Sequence, residues 1–274
     1  MRFYISADIE GIVGVVNRPE TKTDGFDWQR ARMWMTDSVV AACEAAIDAG
    51  ATELVVSDSH GTGMNIVIDR LPRQVQLVRS WPRPLGMMQG IEVGKFDGSM
   101  LIGYHTGSTH MTGILGHSFM GLMVREVKLN GRTVSEGGFS AEVANHYGAP
   151  IIMISGDDAF CEETQGLIGN VEAAVVKWAY GTLSARSMVP EAAYALIRDK
   201  VRAGIARRKE YKAKALKGPI ELDVTMKHRL PVEYLDYLKC FKRTDAYTIR
   251  YVGDDMEDVS KALMFMLMYN PSSP

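Results

Sequence analysis

Between Arg2 and His60 the chain sets out a strand, a helix and a strand in that order, and this order fixes the kind of sheet it can build. Arg2 to Ala7 (Arg-Phe-Tyr-Ile-Ser-Ala) reads as a short strand followed by a Gly-containing loop. From about Asp27 to Ala49, Trp28, Met35, Val39, Ala42 and Ala46 recur at helical spacing on one face; Asp27 stands where an N-terminal cap belongs and Gly50 offers a left-handed stop. Glu53 to His60 (Glu-Leu-Val-Val-Ser-Asp-Ser-His) is a buried-type strand that ends in polar residues. Strands joined through a helix pair in parallel, by a right-handed crossover. Val75–Val78, Gly98–Gly103 and Pro150–Ser155 supply further strands, the last followed by a helix starting around Asp157. The expected fold class is therefore α/β, a mostly parallel sheet flanked by helices.

Farther along, the pattern changes. Alternating runs flank Asn130-Gly131 within Arg125 to Glu136, a type I′ hairpin signal, and Gly137 and Gly138 would let the backbone approach a site closely before a helix through Ala141 to His146. Pro190 to Lys217 is a long helical pattern rich in Arg and Lys. It marks a boundary between an α/β metal-binding catalytic domain at 1–189 and a smaller C-terminal α+β lobe at 190–274 packed on it. That lobe offers strands at Ile220–Thr225 and Tyr247–Val252, a helix near Val232–Leu238 and a final helix from Met256 to Met268. The segment Ala-Leu-Met-Phe-Met-Leu-Met at 262–268 is apolar all round and is expected in the core or at a subunit contact.

With 274 residues, 46% of them apolar, the chain can bury a sizeable core. A formal charge of −2 gives no field that would draw nucleic acid or an anionic membrane, and the basic run at 198–217 reads as a solvated helix face. The N-terminus reaches Asp8 too soon for a signal-peptide apolar region, and no apolar run approaches a membrane span, so a cytoplasmic location is expected. Cys43, Cys161 and Cys240 are far apart and never in a Cys-x-x-Cys arrangement, which fits reduced thiols.

The chemistry lies at the strand ends. Asp8 and Glu10 follow the first strand, His60 ends the second, His105 follows the Gly98–Gly103 run, and Glu136 lies just past a hairpin arm. In open α/β sheets ligands bind beyond the carboxyl ends of the strands. Two imidazoles and three carboxylates can share two Zn²⁺ ions if one carboxylate bridges, with room for a water between the metals. Such a site is near neutral, and thus tolerable in a low-dielectric cleft. Asp58, two residues before His60, is read as orienting a ligand or capping a helix. His117, in a glycine-rich stretch, is the candidate for moving a proton, with His110 competing; His146 and His228 read as structural. Asp157 and Asp158 read as helix caps, at an edge where a substrate amine could also meet them.

Taken in order, Ser6-x-Asp8-x-Glu10-Gly11, Asp58-Ser59-His60, Gly103-Tyr104-His105, Gly116-His117-Ser118, Glu136 and Gly156-Asp157-Asp158 resemble the D-aminopeptidase family typified by the dipeptide-operon enzyme of bacilli, peptidase family M55. The resemblance covers most of the chain and is densest up to about residue 165. It implies two Zn²⁺ ions per subunit, with Mn²⁺ or Co²⁺ also acceptable to such ligands. Asp8 would bridge them, Glu10 and His105 completing one site and His60 and Glu136 the other. It further implies His117 as the catalytic residue, which we read as a general base or oxyanion stabiliser. The implied activity is removal of the N-terminal residue from short peptides, D-amino-acid dipeptides such as D-Ala-D-Ala among them. The implied assembly is a homodecameric ring with active sites facing an enclosed channel. Other reactions suit the same ligands: a non-peptide amidohydrolase, or a phosphoesterase whose Gly-Thr-rich turns cradle an anion. A non-catalytic dipeptide-binding protein is a further alternative. No motif encodes D or L preference.

Overall fold

The computed structural model describes residues 1–269. The chain opens with β1 (Arg2–Ala7), α1 (Trp28–Asp48), β2 (Glu53–Asp58), β3 (Val75–Val78) and β4 (Ser99–Tyr104). A hairpin of β5 (Val124–Leu129) and β6 (Arg132–Thr133) leads into α2 (Glu136–His146), β7 (Ile151–Asp157) and α3 (Asp158–Ile168). Then come β8 (Glu172–Gly181), β9 (Ser184–Ser187) and α4 (Pro190–Ala206). Last are β10 (Ile220–Met226), α5 (Arg229–Leu235), β11 (Phe241–Arg243), β12 (Thr248–Gly253) and α6 (Met256–Met268).

The larger sheet has the order β3-β2-β1-β4-β7-β8-β9. All its pairs are parallel except β8 with β9. Its central strands are apolar on both faces, as a sheet covered on both sides requires. Phe3, Ile5, Leu54 and Val56 pack with α1 and α4, while Tyr4, Val55 and Leu101 pack with α2 and the second sheet. That second sheet is antiparallel, in the order β11-β12-β10-β5-β6. It draws strands from both sides of position 190, and α4 packs on α1 and β8. Among the described residues, no helix is long and apolar enough to cross a membrane. The last five positions of the 190–274 segment lie outside the described residues.

Local chemistry explains where the elements differ from expectation. The α1 stripe is buried as its spacing requires, and Gly50 takes φ 96° at the helix end. Asp27, however, sits at the N-cap in a left-handed conformation and its side chain caps nothing. Asn130 and Gly131 have φ 49° and 77°, the backbone a type I′ turn demands. The helix expected over 190–217 ends at Ala206; Arg207 turns back to pair with Glu172 at 2.5 Å, and Tyr211 packs between both cores. The apolar run of α6 is buried on one face only, since Phe265 and Met268 are about half exposed.

Candidate metal centre

Three neighbouring strands deliver the first candidate ligands. Asp8 follows β1 directly, His105 follows β4 directly, and His60 stands two residues past β2, all at the carboxyl edge of the sheet. Glu10 is set by a close approach of backbones: Gly11 donates to the Gly103 carbonyl at 2.7 Å, and a Cβ on Gly11 would lie 1.9 Å from the Tyr104 oxygen. Glu136 is itself the first residue of α2, whose N-cap Ser135 accepts from Gly138 at 3.3 Å. Gly137 and Gly138 are therefore inside the helix, where a Cβ would strike Phe160 and Leu167; they permit close packing of α2 on α3 rather than a loop's approach to the site.

The side chains converge in two groups, Asp8 with Glu10 and His60, and His105 with His117 and Glu136; within each, the ligand atoms lie inside 4.8 Å of one another. Asp8 joins them. Its Oδ1 is 3.3 Å from His60 Nδ1 and its Oδ2 is 3.4 Å from His105 Nε2. Glu10 Oε2 is 3.0 Å from His60 Nδ1, and Glu136 Oε2 is 3.5 Å from His105 Nε2. In the structure, then, Glu10 lies nearest His60, and His105 nearest Glu136.

Two observations test whether metals fit. Asp8 Oδ2, Glu10 Oε2 and His105 Nε2 are buried with no hydrogen-bond partner among the described residues, a costly state for polar atoms unless a cation meets them. Each histidine also spends its other nitrogen on a backbone carbonyl: His60 Nε2 on Thr21 at 2.7 Å, His105 Nδ1 on Thr106 at 2.9 Å and His117 Nδ1 on Leu115 at 2.9 Å. A carbonyl only accepts, so that nitrogen carries a proton and the inward one is the atom left to offer a lone pair to a cation, as metal-binding imidazoles are normally held. The donor set fits two cations.

Without cations the charges lean on one another. Burial, and then the Glu10 charge, pushes Asp8 up to about 7. Burial would likewise raise Glu10, but the His60 imidazolium holds it well below the usual carboxylate range. Burial disfavours a charged His105, yet the Glu136 carboxylate beside it drives it up to about 10. His60 is raised in the same way by Glu10 and Asp8.

The D-aminopeptidase family profile, M55 among peptidases, matches residues 1–265. The chain belongs to that family. It is similar to the D-aminopeptidase of Bacillus subtilis strain 168, 28% identical over 269 residues, which is 97% of this chain and 96% of the relative. Among solved structures it resembles the Zn-dependent D-aminopeptidase DppA from Bacillus subtilis, a self-compartmentalizing protease, with a TM-score of 0.92 and 25% identity over all of both chains.

In this member of the D-aminopeptidase family the remaining residues have structural partners. His117 stacks on His105, centroids 4.2 Å apart, and its Nε2 is 3.7 Å from Glu136 Oε1. Its side chain is 27% exposed against 1% for His105, so it is the imidazole open to a substrate. Asp58 neither touches a ligand nor caps a helix; it accepts from the Asn65 and Ile66 amides and the Asn65 side chain, closing the loop that carries His60. Asp157 caps α3 through Phe160 and also takes the Ile114 amide at 2.7 Å, anchoring the His117 loop. Asp158 accepts from Ala179. His110, His146 and His228 lie outside both groups.

Sequence reasoning missed β8 and, within it, Lys177. This lysine is fully buried, and its ammonium donates to the carbonyls of Glu10 and Ile12 at 2.5 and 3.1 Å and to that of Val15. Burial draws it down to about 8 against the pull of Asp157 and Glu10, so it stays protonated at neutral pH. The available signal was a lone Lys inside Ala-Ala-Val-Val-Lys-Trp-Ala. Also unread was the buried hydroxyl chain beneath the site, Ser59 to Ser6 at 2.7 Å and Ser6 to Tyr104 at 2.6 Å.

Proposed function

We propose that this protein is a zinc-dependent aminopeptidase that removes the N-terminal residue from short peptides, D-amino-acid dipeptides such as D-Ala-D-Ala included. The observation that carries the reading is Asp8, whose two oxygens face two separate ligand groups, within a family of D-aminopeptidases. Likeness to a zinc-dependent relative favours zinc over manganese or cobalt. By proximity, Asp8, Glu10 and His60 would hold one ion and Asp8, His105 and Glu136 the other. When bound, the pair supplies Lewis acidity toward the scissile carbonyl and activation of the attacking water.

The chain's own work is proton handling and placement. His117 Nδ1 is committed to the Leu115 carbonyl, so Nε2 takes the proton from the water and returns it to the leaving amine. Glu136 Oε1, already accepting from the Phe119 amide at 2.5 Å, fixes the loop on the far side of His117. The stack on His105 keeps the ring from turning away. A homodecameric ring in the cytoplasm is part of the same proposal: likeness to a self-compartmentalizing protease supports the assembly, and the free thiols Cys43, Cys161 and Cys240 support a reducing compartment.

The deciding experiment measures release of the N-terminal residue from matched D- and L-dipeptides, using protein as isolated, after chelation and after zinc restoration. Zinc-dependent release is expected, and the panel reads chirality directly. Protein that holds two metals yet cleaves no dipeptide would end the peptidase reading; cleavage of other amides or of phosphate esters, or binding of dipeptides unchanged, would then identify its replacement.

A further inference from the structure

The metal ligands account for the carboxylates and imidazoles at the sheet edge, but not for a buried ammonium directly behind them. We propose that Lys177 is a positioning residue for one of the two metal sites, the one built from Asp8, Glu10 and His60; the inference rests on the two-metal reading above. Lys177 lies in β8, in register with Asp157 of β7, and is fully buried. An ammonium has three donors and no acceptor, and here all three go to the carbonyls of Glu10, Ile12 and Val15 in one short loop. Burying that charge without such partners is costly, and three carbonyls crowded together without a cation repel one another. Each half of the arrangement therefore needs the other. The lysine acts as a tethered cation in a carbonyl cage.

The cage gathers the loop around the point where Glu10 must project. Gly11 presses it onto β4 from one side, and Lys177 pulls its carbonyls toward β8 from the other. Glu10 Oε2 is thereby delivered 3.0 Å from His60 Nδ1 by a residue 167 positions away. Among the described residues Lys177 makes no hydrogen bond to the segments that carry His105 and Glu136, which follow β4 and open α2. The two sites should thus respond differently to loss of Lys177, which a general loss of stability would not produce.

The test counts zinc per chain by mass spectrometry and measures affinity by competition with a chromophoric chelator, on full-length wild type and Lys177→Met. Wild type should hold two ions, and Lys177→Met should keep one while binding the other at least about tenfold more weakly. The ion that remains should disappear when His105→Ala is added. Lys177→Ala supplies a second arm: n-propylammonium matches the deleted atoms and should restore the weakened ion without changing the retained one. Two ions at wild-type affinity in Lys177→Met, equal weakening of both, or no restoration by the amine in folded Lys177→Ala would each overturn the assignment. Wild type that holds no zinc would instead sink the two-metal reading and this inference with it.

Discussion

Single residues carry the site's specificity for two ions, and Asp8 is the most exposed to test. Among the described residues Asp8 is the carboxylate that faces both groups, so in Asp8→Ala zinc content should fall from two ions to none retained through purification. Full occupancy in that variant would show that Asp8 is not a bridge. His117→Ala should behave in the opposite way, keeping both ions while turnover drops about 10²- to 10⁴-fold, the range for losing a general acid–base group. A metal-poor His117→Ala protein would make His117 a ligand, as its place beside His105 and Glu136 permits. Gly11→Ala drives a Cβ into the backbone of Gly103 and Tyr104, so denaturant titration should report a loss of roughly 3 kcal/mol or more. Asp8, Glu10, His60, His105 and Glu136 were legible as residues because carboxylates and imidazoles at the ends of apolar runs are hard to explain otherwise. Which of them lie nearest one another was not legible, since that depends on where loops fold in space.

At the level of elements, the caps do double duty. Asp157 satisfies both the first turn of α3 and the Ile114 amide, so Asp157→Ala should lose about 1–2 kcal/mol as an N-cap and release one end of the His117 loop. Its kcat should then fall while zinc content stays at the wild-type value; unchanged kcat would separate the cap from the loop. The β1-α1-β2 unit and the β5–β6 turn were readable because helical spacing, an alternating pattern and Asn-Gly are local signals. The strand β8 escaped because a charged Lys breaks its apolar run, and only the three distant carbonyls make that Lys acceptable. For the same reason the run after Ala206 looked helical from composition, although Arg207 finds better partners outside a helix in Glu172 and Glu210.

For the molecule as a whole, metal and fold should be linked. The candidate ligands are brought together from β1, β2, β4 and α2, so ions that bind only the folded chain stabilise it by about 2.7 kcal/mol at a hundredfold excess over Kd. Calorimetry should accordingly show chelated protein melting several degrees lower and recovering on zinc addition, with a shift of roughly 2–4 °C per kcal/mol expected for chains somewhat smaller than this one. An unchanged Tm would mean that the folded chain gains nothing from the ions. The sequence by itself determined the parallel α/β core and the place of Asp8, His60 and His105 at its strand ends, because hydrophobic period and residue chemistry are written locally. Tertiary structure alone decided that β5 and β6 join β10 to β12, that Asp8 lies between Glu10–His60 and His105–Glu136, and that Lys177 closes the loop behind Glu10. Each of these depends on through-space contact between segments far apart in the chain, and such contacts leave no periodic trace in the order of residues.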